Sequence, residues 1–184
     1  MKKIIIQFSV IAFIFLPFLM NAQSPMDKVY DKYANQDGFT SVNISKDLFQ
    51  LFLNMDTIEK SAEAKEIREL IQQLTGLKIL TFTGDSTKTA KRDAVYNDFN
   101  AQFPPAVYKE IMSVKEKNND IRFLTKQEKN GKITEMVMLQ KGSCTAVVLS
   151  LTGILDLKNI SKLSKSMNIK GLENLDHIND QNKK

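Results

Sequence analysis

The clearest periodicity in the chain lies between Ile121 and Thr152, where apolar and polar residues alternate in three stretches separated by Asn130-Gly131 and Gly142-Ser143. Period-two alternation marks a strand with one buried face, and both dipeptides suit tight hairpin turns, so this segment reads as a three-stranded antiparallel meander. Two-residue turns there set a register. Phe123 falls opposite Met138 and Leu124 opposite Val137 around the first; Met138 falls opposite Val147 and Val137 opposite Val148 around the second. One face then carries Ile121, Phe123, Met136, Met138, Val147, Leu149 and Leu151, a core side. The other mixes Leu124, Val137, Leu139, Ala146 and Val148 with Arg122, Lys126, Glu135 and Ser150. Two readings of that half-apolar face stay open: the first or last helix covers it, or those five apolar residues are a candidate interaction face for a partner. Cys144 reads as the start of the last strand on the same face, a buried and inert thiol.

Helical spacing dominates elsewhere. Ser24-Pro25 supplies a cap and first turn for a helix that stops before Gly38; Phe39 to Ile44 is a strand; Ser45 caps a helix carrying Leu48, Phe49, Leu51, Phe52 and Met55. A third helix holds Ile67, Leu70, Ile71 and Leu74 and is closed by Gly76, before a strand over Leu77 to Thr83. Between Thr89 and Glu116 the apolar positions predict two helices split by Pro104-Pro105. After Gly153 a final helix is predicted, with Asp156 as cap and Leu157, Ile160 and Leu163 on its stripe. The fold class is therefore α+β: about five strands including the C-terminal meander, with helices packed mainly on one face.

The start of the chain has a separate meaning. Met1-Lys2-Lys3 followed by an uncharged, mostly apolar run from Ile4 to Met20 is the pattern of a signal peptide, with cleavage expected after Ala22. No cysteine follows the run, so no lipid anchor is expected, and the mature protein belongs in the periplasm or envelope. The organisation is a signal peptide over 1–22, one α+β domain over 23–176 and a polar tail over 177–184. Loss of Lys2 and Lys3 brings the formal charge from +5 to +3, too small an excess to imply nucleic acid. The densest basic series, Lys158, Lys162, Lys165 and Lys170, lacks interleaved aromatics and reads as a solvated helix face.

Candidate chemistry is sparse. One histidine (His177) and one cysteine (Cys144) cannot build the common zinc sets, and no cofactor is expected. Asp176 and Asp180 read as a solvated tail. Glu59, Glu63, Glu66 and Glu69 alternate with Lys60, Lys65 and Arg68 as an ion-paired helix face, and Ser161 with Lys165 only imitates a Ser-Lys dyad.

The segments Val42–Phe49, Ile79–Gly84, Ile133–Leu139 and Leu149–Leu157 together resemble a Bacteroidetes family of small exported proteins catalogued as domain of unknown function 4252. The resemblance implies one α+β domain in a Gram-negative envelope and carries over no catalytic residue. It favours a protein-interaction role, because members of such families often sit beside envelope-signalling genes. The expectation is a non-enzymatic module binding another envelope protein; the alternatives are a carrier or sensor of a small apolar ligand held among methionines and phenylalanines, and a hydrolase without histidine.

Overall fold

The computed structural model describes residues 23–54, 62–85, 87 and 89–156; the expected signal peptide with its cleavage site, the helix expected after Asp156 and the tail expected over 177–184 lie outside these. Helix α1 (Pro25–Tyr33) starts where the sequence provides its own cap. The Ser24 hydroxyl accepts from the Asp27 amide at 3.1 Å, and the Asp27 carboxylate accepts from the Ser24 amide in return. This capping box satisfies two amides that a helix start leaves without partners. Strand β1 (Phe39–Ser45) follows, and Ser45 both ends the strand and caps α2 (Lys46–Leu53). Helix α3 (Ala62–Gln73) runs directly into β2 (Leu74–Thr83), so Gly76 lies inside the strand instead of closing the helix. Helix α4 (Thr89–Ala101) then leads to β3 (Tyr108–Glu116), β4 (Asn119–Gln127), β5 (Ile133–Lys141) and β6 (Thr145–Leu155).

The strands form one antiparallel sheet in the order β1-β2-β6-β5-β4-β3. The α+β class and the antiparallel meander are those expected, with six strands in place of about five. The described helices divide between both faces. Phe49 of α2 and Leu70 of α3 join Phe123, Met138 and Leu149 in one core, the Phe123 face. Met26 and Val29 of α1 and Val95 and Phe99 of α4 join Leu80, Val137 and Val148 in the other, the Val137 face.

The first meander register is as expected, Phe123 opposite Met138 and Leu124 opposite Val137. Its connection is longer than two residues, however: residues 128–132 join the strands and Gly131 takes φ +83°, which glycine adopts without strain. The second register differs by two, with Met138 opposite Leu149 and Val137 opposite Ser150. The Gly142 amide donates to the Thr145 carbonyl at 2.9 Å, which centres the turn on Ser143-Cys144, one place later than expected. Moving a turn centre by one residue moves the register by two, and period-two alternation then leaves every side chain on its face. The two face assignments therefore hold. Cys144 lies in the turn itself, half-buried, not on the Val137 face.

Between Thr89 and Glu116 the second expected helix is instead a strand. Pro104-Pro105 form one turn, with the Val107 and Tyr108 amides both donating to the Pro104 carbonyl at 3.0 Å. The helix-like spacing of Tyr108, Ile111 and Met112 comes from a slip in the β3–β4 pairing between Glu110 and Met112. That bulge turns the strand over, so Tyr108 packs on the Val137 face while Ile111 and Met112 pack on the Phe123 face. Gly153 likewise does not end a strand, because β6 continues through it to Leu155.

Candidate functional site

Toward the N-terminus of α1 the Val137 face turns polar. Asn43 of β1, Lys78 of β2 and Ser150 of β6 lie side by side in one row across three strands, with Thr152 and Glu135 in the next. The first turn of α1 stands over this band and encloses a cleft of about 390 Å³ lined by Ser24, Asp27, Asn43, Lys78, Ser150 and Thr152 among others. The Lys78 ammonium pairs with the Asp27 carboxylate and lies 5.2 Å from the centre of the Tyr30 ring. Burial pushes the Asp27 carboxyl up, but the bonds from Lys78 and Ser24 outweigh it and hold it below the usual carboxylate range.

Beneath the cleft Glu135 is buried and accepts two hydroxyl hydrogen bonds, from Tyr108 at 2.8 Å and from Ser150 at 2.7 Å. Burial, then the Glu135 charge and its hydrogen bond, push the Tyr108 phenol far above its usual range, so Tyr108 stays a donor. Lys78 is likewise a donor, to the Asp27 carboxylate. The band thus anchors α1 and the sheet by hydrogen bonds, and the carboxylate that receives the Ser150 hydroxyl, Glu135, is held by the Tyr108 hydroxyl as well.

Near the N-terminus of α4, Arg92 donates to the carbonyls of Gly142, at 3.2 Å, and of Ser143, fastening the helix to the β5–β6 turn. A polar groove of about 250 Å³ lies there, bordered by Arg92, Lys117, Asp120 and Lys141.

The third feature is an apolar surface. Helix α2 buries Phe49 and Leu53, yet Leu51 is 61% and Phe52 47% exposed, and Leu48 beside them is exposed too. Exposed Val42 lies on β1, the edge strand against which α2 packs. Five apolar residues among eight cover more than half of the circumference of α2, wider than its one buried face requires.

A family model described as Domain of unknown function (DUF4252) matches residues 30–163. The chain belongs to this family. No curated protein and no solved structure matches it. The DUF4252 match starts within α1 and runs past the end of β6, so all six strands and the apolar surface fall inside it, whereas Ser24 and Asp27 at the cleft precede it.

Within this DUF4252 domain the sequence-predicted interaction face is corrected. Leu124, Val137, Leu139, Ala146 and Val148 are each at most 2% exposed, because α1 and α4 lie over them. They form a core and present nothing to a partner. Among the described methionines expected to line an apolar pocket, Met26 is buried in the cluster on one face and Met136 and Met138 in that on the other, while the cleft beside α1 is bordered mostly by polar side chains. Tyr33 stacks on Phe39 at 4.8 Å and Tyr108 packs edge-on against Phe103 at 5.1 Å, so these rings belong to the core. Arg68 donates to the Leu53 carbonyl at 2.5 Å and ties α3 to α2, and Glu69 is exposed. Ser161, Lys165, Asp176, His177 and Asp180 lie outside the described residues, as do Glu59 and the side chains of Glu63 and Glu66. Among the described residues no three His, Cys, Asp or Glu side chains group as metal ligands, and no helix is long and apolar enough to cross a membrane.

Sequence reasoning gave Leu48, Leu51 and Phe52 as apolar positions of this helix together with Phe49, and did not single them out as a surface. The apolar span of KDLFQLFL, wider than a single stripe, was the available signal. Lys78 and Asp27 carried none, since a helix-to-strand pair 51 positions apart has no local pattern.

Proposed function

We propose that this DUF4252 protein is an exported, non-enzymatic binding module of the Gram-negative envelope, without a lipid anchor, that engages another protein chain through β1 and the outer side of α2. The observation that carries this is the exposed apolar group Val42, Leu48, Leu51 and Phe52 beside a sheet edge. A sheet edge offers backbone hydrogen bonds and an adjacent apolar patch offers burial, the two ingredients of recognition by strand addition. The charged start followed by the apolar run to Met20 supports export. In the band beneath α1, Lys78 pairs with Asp27 while Tyr108 and Ser150 donate to Glu135, bonds that tie helix to sheet and support a structural reading of this band.

Photo-crosslinking in living cells tests it. A photoreactive residue at position 51 is expected to give a discrete protein adduct, while one at position 109 on β3 gives none. Equal labelling from the two positions would contradict the reading.

A further inference from the structure

The sheet has two edges, and they differ in kind. Strand β3 carries Lys109, Glu110, Lys115 and Glu116, and its ladder slips between Glu110 and Met112. Charges and bulges are the means by which an edge avoids pairing with another chain. Strand β1 has neither. Phe39 to Ser45 contains no charged residue and no proline, and its ladder with β2 runs without a shift from Phe39 opposite Phe82 to Ser45 opposite Gly76. A regular edge of this kind turns alternate N–H and C=O groups outward in register, and no described strand pairs with them here. Thr40, Val42, Asn43 and Ser45 are exposed along it.

We infer that the partner strand at this edge comes from a second copy of the chain, with β1 lying antiparallel to β1 and continuing the sheet across a two-fold axis. The inference rests on reading β1 and α2 as the binding surface. Self-pairing suits this strand because an isologous contact sets a patch against itself, and any charge near the axis would then face its own copy. With no charge over seven residues, every antiparallel register of β1 on β1 is free of that repulsion. Val, Ile, Thr and Phe also favour the pleated geometry. Beside the seam, α2 packs on β1 and β2 while α3 reaches β6, so α2 is the outer helix on the Phe123 face. A two-fold axis at β1 therefore brings both α2 helices to one side of the joined sheet, with Leu48, Leu51 and Phe52 at the seam.

Sedimentation of the purified protein tests this across a wide range of concentration and salt. A dimer is expected, insensitive to salt because no ion pair crosses the seam. Val42→Lys and, separately, Thr40→Lys are expected to weaken it by about tenfold or more while the circular dichroism spectrum is kept, and Ser113→Lys on β3 to leave it unchanged. With Cys144→Ser, a cysteine placed at position 42 is expected to give disulfide-linked dimers on oxidation, and one placed at position 113 to give none. A monomer at every concentration, or a dimer indifferent to both β1 lysine variants, overturns the inference. A monomer whose residue-51 crosslinker captures a different protein overturns the second copy as occupant and leaves the proposed function standing.

Discussion

Val137→Asp is expected to cost about 3 to 5 kcal/mol of stability, because it places an unpaired carboxylate in a dry core. Val137 is fully buried between β4 and β6, opposite Leu124 and Ser150 and among side chains of α1 and α4. The nearest carboxylate on the same face, Glu135, already takes both of its hydroxyl donors, so no donor is spare for a second acid. For a domain of this size the loss corresponds to a fall in Tm of about 10 °C or more. Val107→Asp, at an exposed position, is expected to change stability by no more than about 0.5 kcal/mol. Thermal unfolding followed by circular dichroism separates the two. A Val137→Asp protein that melts with the wild type would mean that α1 and α4 do not cover the Val137 face.

Gly153→Ala is expected to cost about 3 kcal/mol, although it adds a single methyl group. Gly153 has φ +150° and lies opposite Leu74, where α3 passes into β2 with no connecting loop. A Cβ at this position would press into the Gln73 carbonyl oxygen and come within 2.9 Å of the Leu74 Cα. Both obstacles are backbone, so no rotamer change relieves them. Either the β2–β6 ladder opens at its end or α3 shifts, and chemical denaturation should show a lower midpoint with an unchanged slope. Gly131→Ala is the informative contrast. Its φ is also positive, but a Cβ there meets nothing within 4 Å, so only the backbone strain is felt and the loss should be smaller.

The parts of the fold that the sequence made legible are those governed by local chemistry. Ser24 and Ser45 cap helices because a hydroxyl beside free amides needs no tertiary context. The two faces of the meander were legible because alternation survives any even shift in register, including the shift introduced by the Ser143-Cys144 turn. Strand β3 was not legible, since a bulge converts alternation into the spacing of a helix. The covering of Val137 and its neighbours was not legible either. Whether a half-apolar face is core or surface depends on where α1 and α4 land, and that is a matter of packing between elements far apart in the chain. The same holds for the exposed side of α2: its excess of apolar residues is plain in the sequence, but only the position of α2 beside an uncharged edge gives the excess a meaning.

The central claim is that β1 is an edge meant to be occupied and β3 one meant to stay free. Amide hydrogen exchange of the purified protein, compared between concentrated and dilute solution, tests it most directly. The amides of β1 that do not bond to β2 should be protected in concentrated protein and exchange quickly on dilution, while the outward amides of β3 exchange quickly in both. Outward β1 amides that exchange as fast as those of β3 in concentrated protein would contradict the account.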